Sequence, residues 1–297
     1  MGLMTEDYFF DTMNYSNSVN IKLHRFEVRH KNSALYGYYS VDKNKLFIGQ
    51  KSTFGGVYLQ DDTVREDLEN LVKKFEDEFL RKYSGYNLRL PPNYLNKKLN
   101  EFSNIFNSIG SSVITEINQY HEITNNSNYL LFSKSNRKIF RRLKANGCTI
   151  KLSKKPNGDG YSLLEKNRKL RNVKLSLSFQ EIQKQTMASE GKYIYFSCYD
   201  RANILIAYSV CVRVSRNVLY ILYWGEDPKY RKRSPVVMIA DAAVQFCVKN
   251  EIRWLDAGIS SFNGVVDKDL HDFKRRLGFL QCEKNIIFSE DGQNKIL

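Results

Sequence analysis

From Tyr193 to Lys249 the chain runs through three apolar stretches in succession and then a helix with almost no polar face. The stretches are YIYFSCY (Tyr193–Tyr199), ILIAYSVCVRV (Ile204–Val214) and VLYILYW (Val218–Trp224). They are rich in β-branched and aromatic residues, and only the short polar turns DRAN and SRN separate them, so they read as an antiparallel strand meander. The stretch from Pro235 to Lys249 carries VVMIADAAVQFCV, which is apolar nearly all round and must be covered by other structure. A sheet has to lie against it, which sets an arrangement of packed α and β layers. The strand IRWLDAG, a helix over Asp267–Leu277 stopped by Gly278, and a last strand NIIFSE complete this half.

The opening third repeats the order. Strand-like runs lie at Val19–His30, Ser33–Val41 and Lys45–Gly49, and a helix is expected over Thr63–Tyr83. Its apolar positions Val64, Leu68, Leu71, Val72, Phe75 and Phe79 recur at helical spacing, with Thr63 and Glu66 set as a capping box. A strand Asn87–Leu90 stopped by Pro91 and Pro92, a helix within Tyr94–Asn107 and a strand at Ser112–Tyr120 follow. Ser178 and Glu181 form a second capping box; Ser234 and Pro235 read as the N-cap and first residue of the apolar helix. The loop KKPNGDG (Lys154–Gly160) marks a boundary between two domains of one topology, 1–155 and 156–297. The fold class is α+β, each domain a mixed, mostly antiparallel sheet flanked by helices, with the helices starting at Thr63 and Pro235 in equivalent places.

Composition narrows the functional classes. Apolar residues are 42% and charged residues 26%, enough core material to exclude a disordered chain. Lys and Arg number 46 against 32 Asp and Glu, a net charge of +14 that suits polyanionic partners: nucleic acid, phosphorylated cofactors, nucleotide-sugars or anionic lipid. The 5 cysteines form no CxxC pair, and most sit in apolar runs, as in a reduced, intracellular protein. None of the 4 His pairs with Cys or carboxylate at metal-ligand spacing, so no metal is expected. The start MGLMTEDYFF lacks a secretory pattern and no apolar run reaches membrane-spanning length, so the expected location is the cytoplasm.

The order of elements, with a basic turn between the central strand and a buried helix, resembles the GNAT acyltransferase fold. The doubling resembles its Fem-type branch, the peptidoglycan-bridge aminoacyltransferases. The stretches that carry the resemblance are FGG (Phe54–Gly56), NRKIFRRLKANG (Asn136–Gly147), YSLLEKNRK (Tyr161–Lys169), LDAGISS and FKRRLGF. It implies tandem GNAT-like domains and transfer of an activated acyl group to an amine or hydroxyl of a sugar, peptide or lipid-linked cell-envelope precursor. The donor would be acyl-CoA or aminoacyl-tRNA. One departure bears on it: where GNAT enzymes carry a glycine-containing pyrophosphate loop, this chain has Arg231, Lys232, Arg233, Ser234, Pro235 and Val236, with Ser234 and Val236 in place of both glycines. Glycines there let backbone N–H groups approach phosphates, so their loss points to a donor other than acetyl-CoA or to an inactive site.

Arg231, Lys232 and Arg233, with Ser234 and Val236, stand before a helix start and suit a donor phosphate. By the resemblance, Lys274 faces the acyl carbonyl, where an ammonium would stabilise a developing oxyanion. Without it, Lys274 reads as a lysine flanking the Leu270–Phe273–Leu277 stripe. Asp256, at a strand end, suits a general base or orients the acceptor amine, and equally suits capping of the turn at Ser260 or Ser261. Asn167, Arg168, Arg137, Arg141 and Tyr223 are the expected contacts to an anionic substrate or a tRNA backbone; a solvated basic face is the plainer account of the arginines. Asp61 and Asp62 stand where a donor loop of the first domain needs cations, which assigns the donor to the second domain and acceptor binding or a structural role to the first. Two other functions fit the same residues: a basic nucleic-acid-binding protein without catalysis, and a pseudoenzyme that recognises a glycan or protein partner.

Overall fold

The computed structural model describes residues 8–53, 55–60 and 62–289. Phe54 of the Phe54–Gly56 stretch and Asp61 of the Asp61–Asp62 pair lie outside the described residues. In chain order the elements are α1 (Met13–Ser18), β1 (His24–His30), β2 (Ser33–Asp42), β3 (Lys45–Ile48), β4 (Val57–Leu59), α2 (Arg65–Glu78), β5 (Gly85–Arg89), α3 (Lys98–Ser108) and β6 (Ser112–Glu122). There follow α4 (Lys134–Ala145), β7 (Thr149–Ser153), α5 (Gly158–Lys169), α6 (Phe179–Ala188), β8 (Tyr193–Tyr199), β9 (Leu205–Ser215), β10 (Val218–Glu226), α7 (Val236–Lys249) and β11 (Trp254–Ile259). The chain closes with β12 (Ser261–Phe262), β13 (Val265–Val266), α8 (Lys268–Arg276) and β14 (Leu280–Phe288).

These elements form two compact units that are not contiguous in sequence. The first takes the described residues up to Asn118, Ile259–Asp267, and those from Gln281 on; the second takes Gln119–Gly258 and Lys268–Leu280. The loop 154–160 lies inside the second unit, because β7, just before it, pairs antiparallel with β8 along Thr149–Ser153.

Within the first unit, β1, β2 and β3 form an antiparallel meander; β5 runs parallel to β3 after the α2 crossover, and β14 pairs antiparallel with β5. Leu68, Leu71 and Phe75 of α2 and Phe102 and Phe106 of α3 are fully shielded against Leu35, Leu46 and Leu88 of the sheet. The helical spacing of those α2 positions is what aims them at one face. The second unit repeats the scheme: β8, β9 and β10 form the meander, α7 crosses over, and β11 runs parallel to β10. Val237, Ile239, Ala240, Ala243, Val244 and Cys247 of α7 are shielded against Ile194, Phe196, Cys211 and Leu219. The α+β architecture expected from the element order, mostly antiparallel sheets with flanking helices, is the one the chain has.

Two caps differ from expectation. Helix α2 starts at Arg65 with Val64 as its N-cap, and the Thr63 hydroxyl is buried without a hydrogen-bond partner, so Thr63 and Glu66 form no capping box. Ser234 does not cap α7 either; it sits in the left-handed region at φ 49° and its hydroxyl donates to the Arg231 carbonyl, leaving Pro235 as N-cap. The box at Ser178 and Glu181 is complete. Cys148, Cys198, Cys211 and Cys247 are buried thiols outside any disulfide, and burial pushes the Cys198 and Cys211 thiols up to about 12, so both serve as inert core residues. Among the described residues no helix is long and apolar enough to cross a membrane.

Candidate active site

The parallel ladder between β10 and β11 is short. It pairs Val218 with Trp254, Leu219 with Leu255 and Tyr220 with Asp256, and ends there. Immediately beyond, the register of β10 against β9 shifts between Ile221 and Tyr223, which marks a bulge at Leu222. A bulge bends and twists its strand, so the last residues of β10 are re-aimed where β11 no longer accompanies them. A cavity of about 350 Å³ lies at this strand end, walled by Trp224, Gly225 and Glu226 of β10 together with residues of α5, α8 and the turn before α7.

Helix α5 is placed by close packing. Gly160 lies flat on the Tyr208 ring, where an added Cβ would come within 2.6 Å of the ring carbons. The Tyr208 hydroxyl accepts from the Asn157 N–H at 3.0 Å, and the Asn157 side chain accepts from the Asp159 and Gly160 N–H groups as the helix N-cap. The far end of α5 then brings Asn167 and Arg168 to the cavity. Asn167 Nδ2 donates to the Glu226 carbonyl at 2.8 Å, and Gly225 leaves room for it, since a Cβ there would stand 3.0 Å from Asn167. Burial, and after it the Arg171 guanidinium, lowers the pKa of Arg168. The Glu226 carboxyl is raised by burial and drawn down by Arg171, Arg231 and the Val236 N–H.

Arg168, Arg171, Arg231 and Arg276 face the cavity against two carboxylates, Glu226 and Asp269. An apolar wall of Trp224, Leu270 and Phe273 stands with them, and the Trp224 and Phe273 rings meet edge to face with centroids 5.6 Å apart. The arrangement suits an amphiphilic ligand: guanidiniums for phosphate or carboxylate, rings for an apolar portion.

Of the residues singled out in the sequence, Asn167, Arg168, Arg231, Ser234 and Val236 line this cavity. Lys232 and Arg233 do not. The basic turn Pro228–Arg233 is a 3₁₀ helix, whose three residues per turn fan 231, 232 and 233 in different directions. Arg233 lies over the Tyr230 ring instead, 5.5 Å from its centroid. Arg137 and Arg141 are on α4 and do not line the cavity; Arg141 sits 6.0 Å over the Tyr129 ring. The buried Tyr223 points its hydroxyl at the α5–α6 loop, where it meets the Ser176 hydroxyl and accepts from the Leu177 N–H at 3.1 Å.

Lys274 is 2% exposed, which removes the flank-lysine account, and its Nζ donates to the Gly258 carbonyl at 2.9 Å. Asp256 is wholly buried and Oδ1 accepts from the N–H of the same Gly258 at 2.6 Å. The two therefore hold both sides of one residue, which itself sits at φ +75°. Lys274 does not line the cavity, but its chain neighbour Phe273 does. Trp224, Glu226, Asp269 and Arg276 also line the cavity without being picked out as site residues by the sequence; Arg171, at the end of the basic stretch that the sequence offered for an anionic substrate, lines it too. Among the described residues no cluster of His, Cys, Asp and Glu is arranged to hold a metal ion.

Solved structures share this fold. FemX matches over 94% of this chain and 91% of its own, with a TM-score of 0.64 and 11% identity. The C-terminal domain of a putative lysylphosphatidylglycerol synthetase from Agrobacterium fabrum matches over 94% and 88%, with a TM-score of 0.55 and 11% identity. L-PGS from Bacillus licheniformis matches over 99% and 96%, with a TM-score of 0.54 and 9% identity. At these identities the likeness is one of fold, and the fold is the Fem-type, GNAT-like one that the sequence resembles. No protein-family model and no curated protein matches the sequence.

Proposed function

We propose that the chain is an acyltransferase that moves an activated acyl group from an anionic donor to an amine or hydroxyl. The donor is acyl-CoA or aminoacyl-tRNA, and the acceptor is a sugar, peptide or lipid-linked cell-envelope precursor met in the cytoplasm. The observation that carries the reading is the cavity at the end of β10, where four guanidiniums and an aromatic wall meet at the helix α5 terminus. The fold shared with FemX and L-PGS supports it.

In this reading the second unit binds the donor and the first binds the acceptor or acts as scaffold. The acceptor lone pair attacks the acyl carbon, and a new C–N or C–O bond forms as the donor's ester or thioester bond breaks. Lys274 and Asp256, buried outside the cavity, serve in this reading as positioning residues that hold the Gly258 peptide beside the site, and the acceptor's proton passes to the leaving oxygen or sulfur. Gly258 fixes the two groups relative to each other. No covalent enzyme intermediate is required; the protein contributes positioning and a preorganised charge.

The test is a thermal-stabilisation screen of the whole chain against CoA thioesters, charged tRNA and nucleotide-sugars, followed by product detection with the compound that stabilises it. Stabilisation by an acyl donor that disappears in Arg168→Ala supports the proposal. Stabilisation by uncharged nucleic acid of any sequence, with a steep salt dependence and no product, would instead favour a non-catalytic nucleic-acid-binding protein.

A further inference from the structure

The end of α5 and the connector to α6 are basic and apolar at once. Lys166, Arg168, Lys169, Arg171 and Lys174 follow one another there, and no Asp or Glu occurs between Glu165 and Glu181. Residues 169–174 are all exposed, Leu170 at 60% and Val173 at 49% among them. The segment is nonetheless held in one shape. The Val173 N–H donates to the Arg168 carbonyl at 3.2 Å and the Asn172 N–H to the Lys169 carbonyl at 3.1 Å, with Asn172 in the left-handed region at φ 52°. This pair of bonds around a left-handed residue closes the helix. Further on, the Leu177 N–H donates to the Tyr223 hydroxyl at 3.1 Å, and the Leu177 carbonyl accepts from the Tyr161 hydroxyl at 3.0 Å. The connector is thus pinned at both ends, with its apolar side chains facing out.

In such a closure the residue after the left-handed one usually packs on an apolar side chain in the last turn of the helix. Here the residues it would meet are Asn167 and Arg168, so Val173 is turned outward without that partner. Cations in a last helical turn suit the helix dipole, but the dipole explains neither Lys174 nor the two exposed aliphatics. We infer that this segment docks the protein on an anionic lipid surface, with the cations at the headgroups and Leu170 and Val173 entering the boundary with the acyl chains. A nucleic acid would also draw the cations. It gains nothing from exposed aliphatic side chains, however, and residues 166–174 offer no aromatic ring for a base to stack on. Arg168 and Arg171 also line the cavity, so docking brings the cavity to the bilayer surface. The inference goes beyond the transferase reading and requires no turnover.

The test is co-sedimentation of the full chain with phosphatidylcholine vesicles, with and without about a quarter phosphatidylserine. The expected result is binding to the anionic vesicles that weakens with salt, and little binding to phosphatidylcholine alone. Lys169→Gln with Lys174→Gln should weaken it roughly 25-fold, about fivefold for each cation lost. The same loss at Lys43 and Lys73, exposed lysines of the first unit, should matter far less. Leu170→Ser with Val173→Ser should weaken binding about 10-fold and leave its salt dependence unchanged. None of these residues lines the cavity. Leu170→Trp serves as a reporter that does not depend on how the paired variants fold: its emission, taken as the difference from the parent protein, should move to the blue on anionic vesicles.

No binding to anionic vesicles, equal losses from the connector pair and the control pair, no effect of the changes at Leu170 and Val173, or an unshifted emission would each overturn the inference. So would binding of mixed-sequence duplex DNA, in place of vesicles, that falls with the two lysines and ignores the two aliphatics; the segment would then be a nucleic-acid contact. Vesicle binding is read without any acyl donor. A protein that binds vesicles and transfers nothing keeps this inference and loses the transferase reading, and one that transfers without binding vesicles does the reverse.

Discussion

Gly258 is the position at which a single added carbon should do most damage. Its φ is +75°, and an added Cβ would lie 2.9 Å from the Tyr220 hydroxyl oxygen. Gly110 offers the comparison: φ is +95° and no atom lies within 4 Å of the added carbon. At Gly110 only backbone strain acts, about 1–2 kcal/mol for a left-handed non-glycine residue. Restricting the unfolded chain returns about 0.4–1 kcal/mol of that. Gly110→Ala should therefore cost at most about 1.5 kcal/mol. Gly258→Ala has the same strain and adds overpacking, about 1–3 kcal/mol. The assay is equilibrium urea unfolding of both variants, repeated for Gly258→Ala in a Tyr220→Phe background. Removing the hydroxyl leaves the ring carbons at 3.4 Å and beyond, ordinary contact, so the overpacking should be largely recovered as a coupling of about 1–3 kcal/mol. The reasoning fails if Gly258→Ala costs no more than Gly110→Ala, or if the two changes at Gly258 and Tyr220 add without coupling. A displaced Gly258 would also move the peptide that Asp256 and Lys274 hold, so any activity should fall alongside stability.

Lys274→Ala should lower single-turnover acyl transfer by roughly 100-fold by releasing the Gly258 peptide that it positions, with little change in donor affinity, and Lys274→Arg should restore only part. A purely structural lysine would show lost stability with the remaining folded protein still active. Of the three cations in the turn before α7, Arg231→Glu should weaken binding of a phosphorylated donor while Lys232→Glu should not, a difference read by titration at fixed salt; equal effects would mean that the turn acts as a diffuse positive patch. His121 is buried and its Nε2–H donates to the Leu277 carbonyl at 2.9 Å; burial lowers its pKa, and the hydrogen bond only partly offsets this. Its neutral form thus contributes stability that is complete above the ordinary histidine value of about 6.5 and is lost as pH falls through the lowered folded value. The urea midpoint should drop on acidification over that window, and His121→Gln should flatten the drop.

The layers were legible in the sequence because they rest on patterning. Apolar positions at helical spacing in α2 and an all-apolar α7 admit few alternatives once strands flank them. Features that depend on the exact backbone path were not. Thr63 with Glu66 and Ser178 with Glu181 look alike as letters, yet only the second pair caps a helix, because a cap requires the entering residue to hold an extended conformation at the right place. The hairpin of β12 and β13 does carry a local signal, Asn263–Gly264, both at positive φ. The cavity was half legible. Asn167, Arg168 and Arg231 stand in recognisable stretches, whereas Trp224, Glu226 and Arg276 come together only through the bulge in β10 and the docking of α8. Nothing local distinguishes them from other strand-end or helix-end residues.

The pairing of β5 with β14 has a consequence for how the chain can be made. Leu88 lies opposite Ile287, and the Leu90 N–H donates to the Asn285 carbonyl at 3.0 Å, so β5 is finished by β14, which follows it only after the whole of the second unit. During synthesis the first unit cannot close until β14 has left the ribosome, after all of the second unit. Until then β5 is an apolar edge open to unwanted partners. The second unit likewise waits for Lys268–Leu280, which the chain supplies only after returning once to the first. Neither unit can be excised by cutting the gene at one point, and a nascent chain halted midway would hold two unfinished sheets rather than one finished domain.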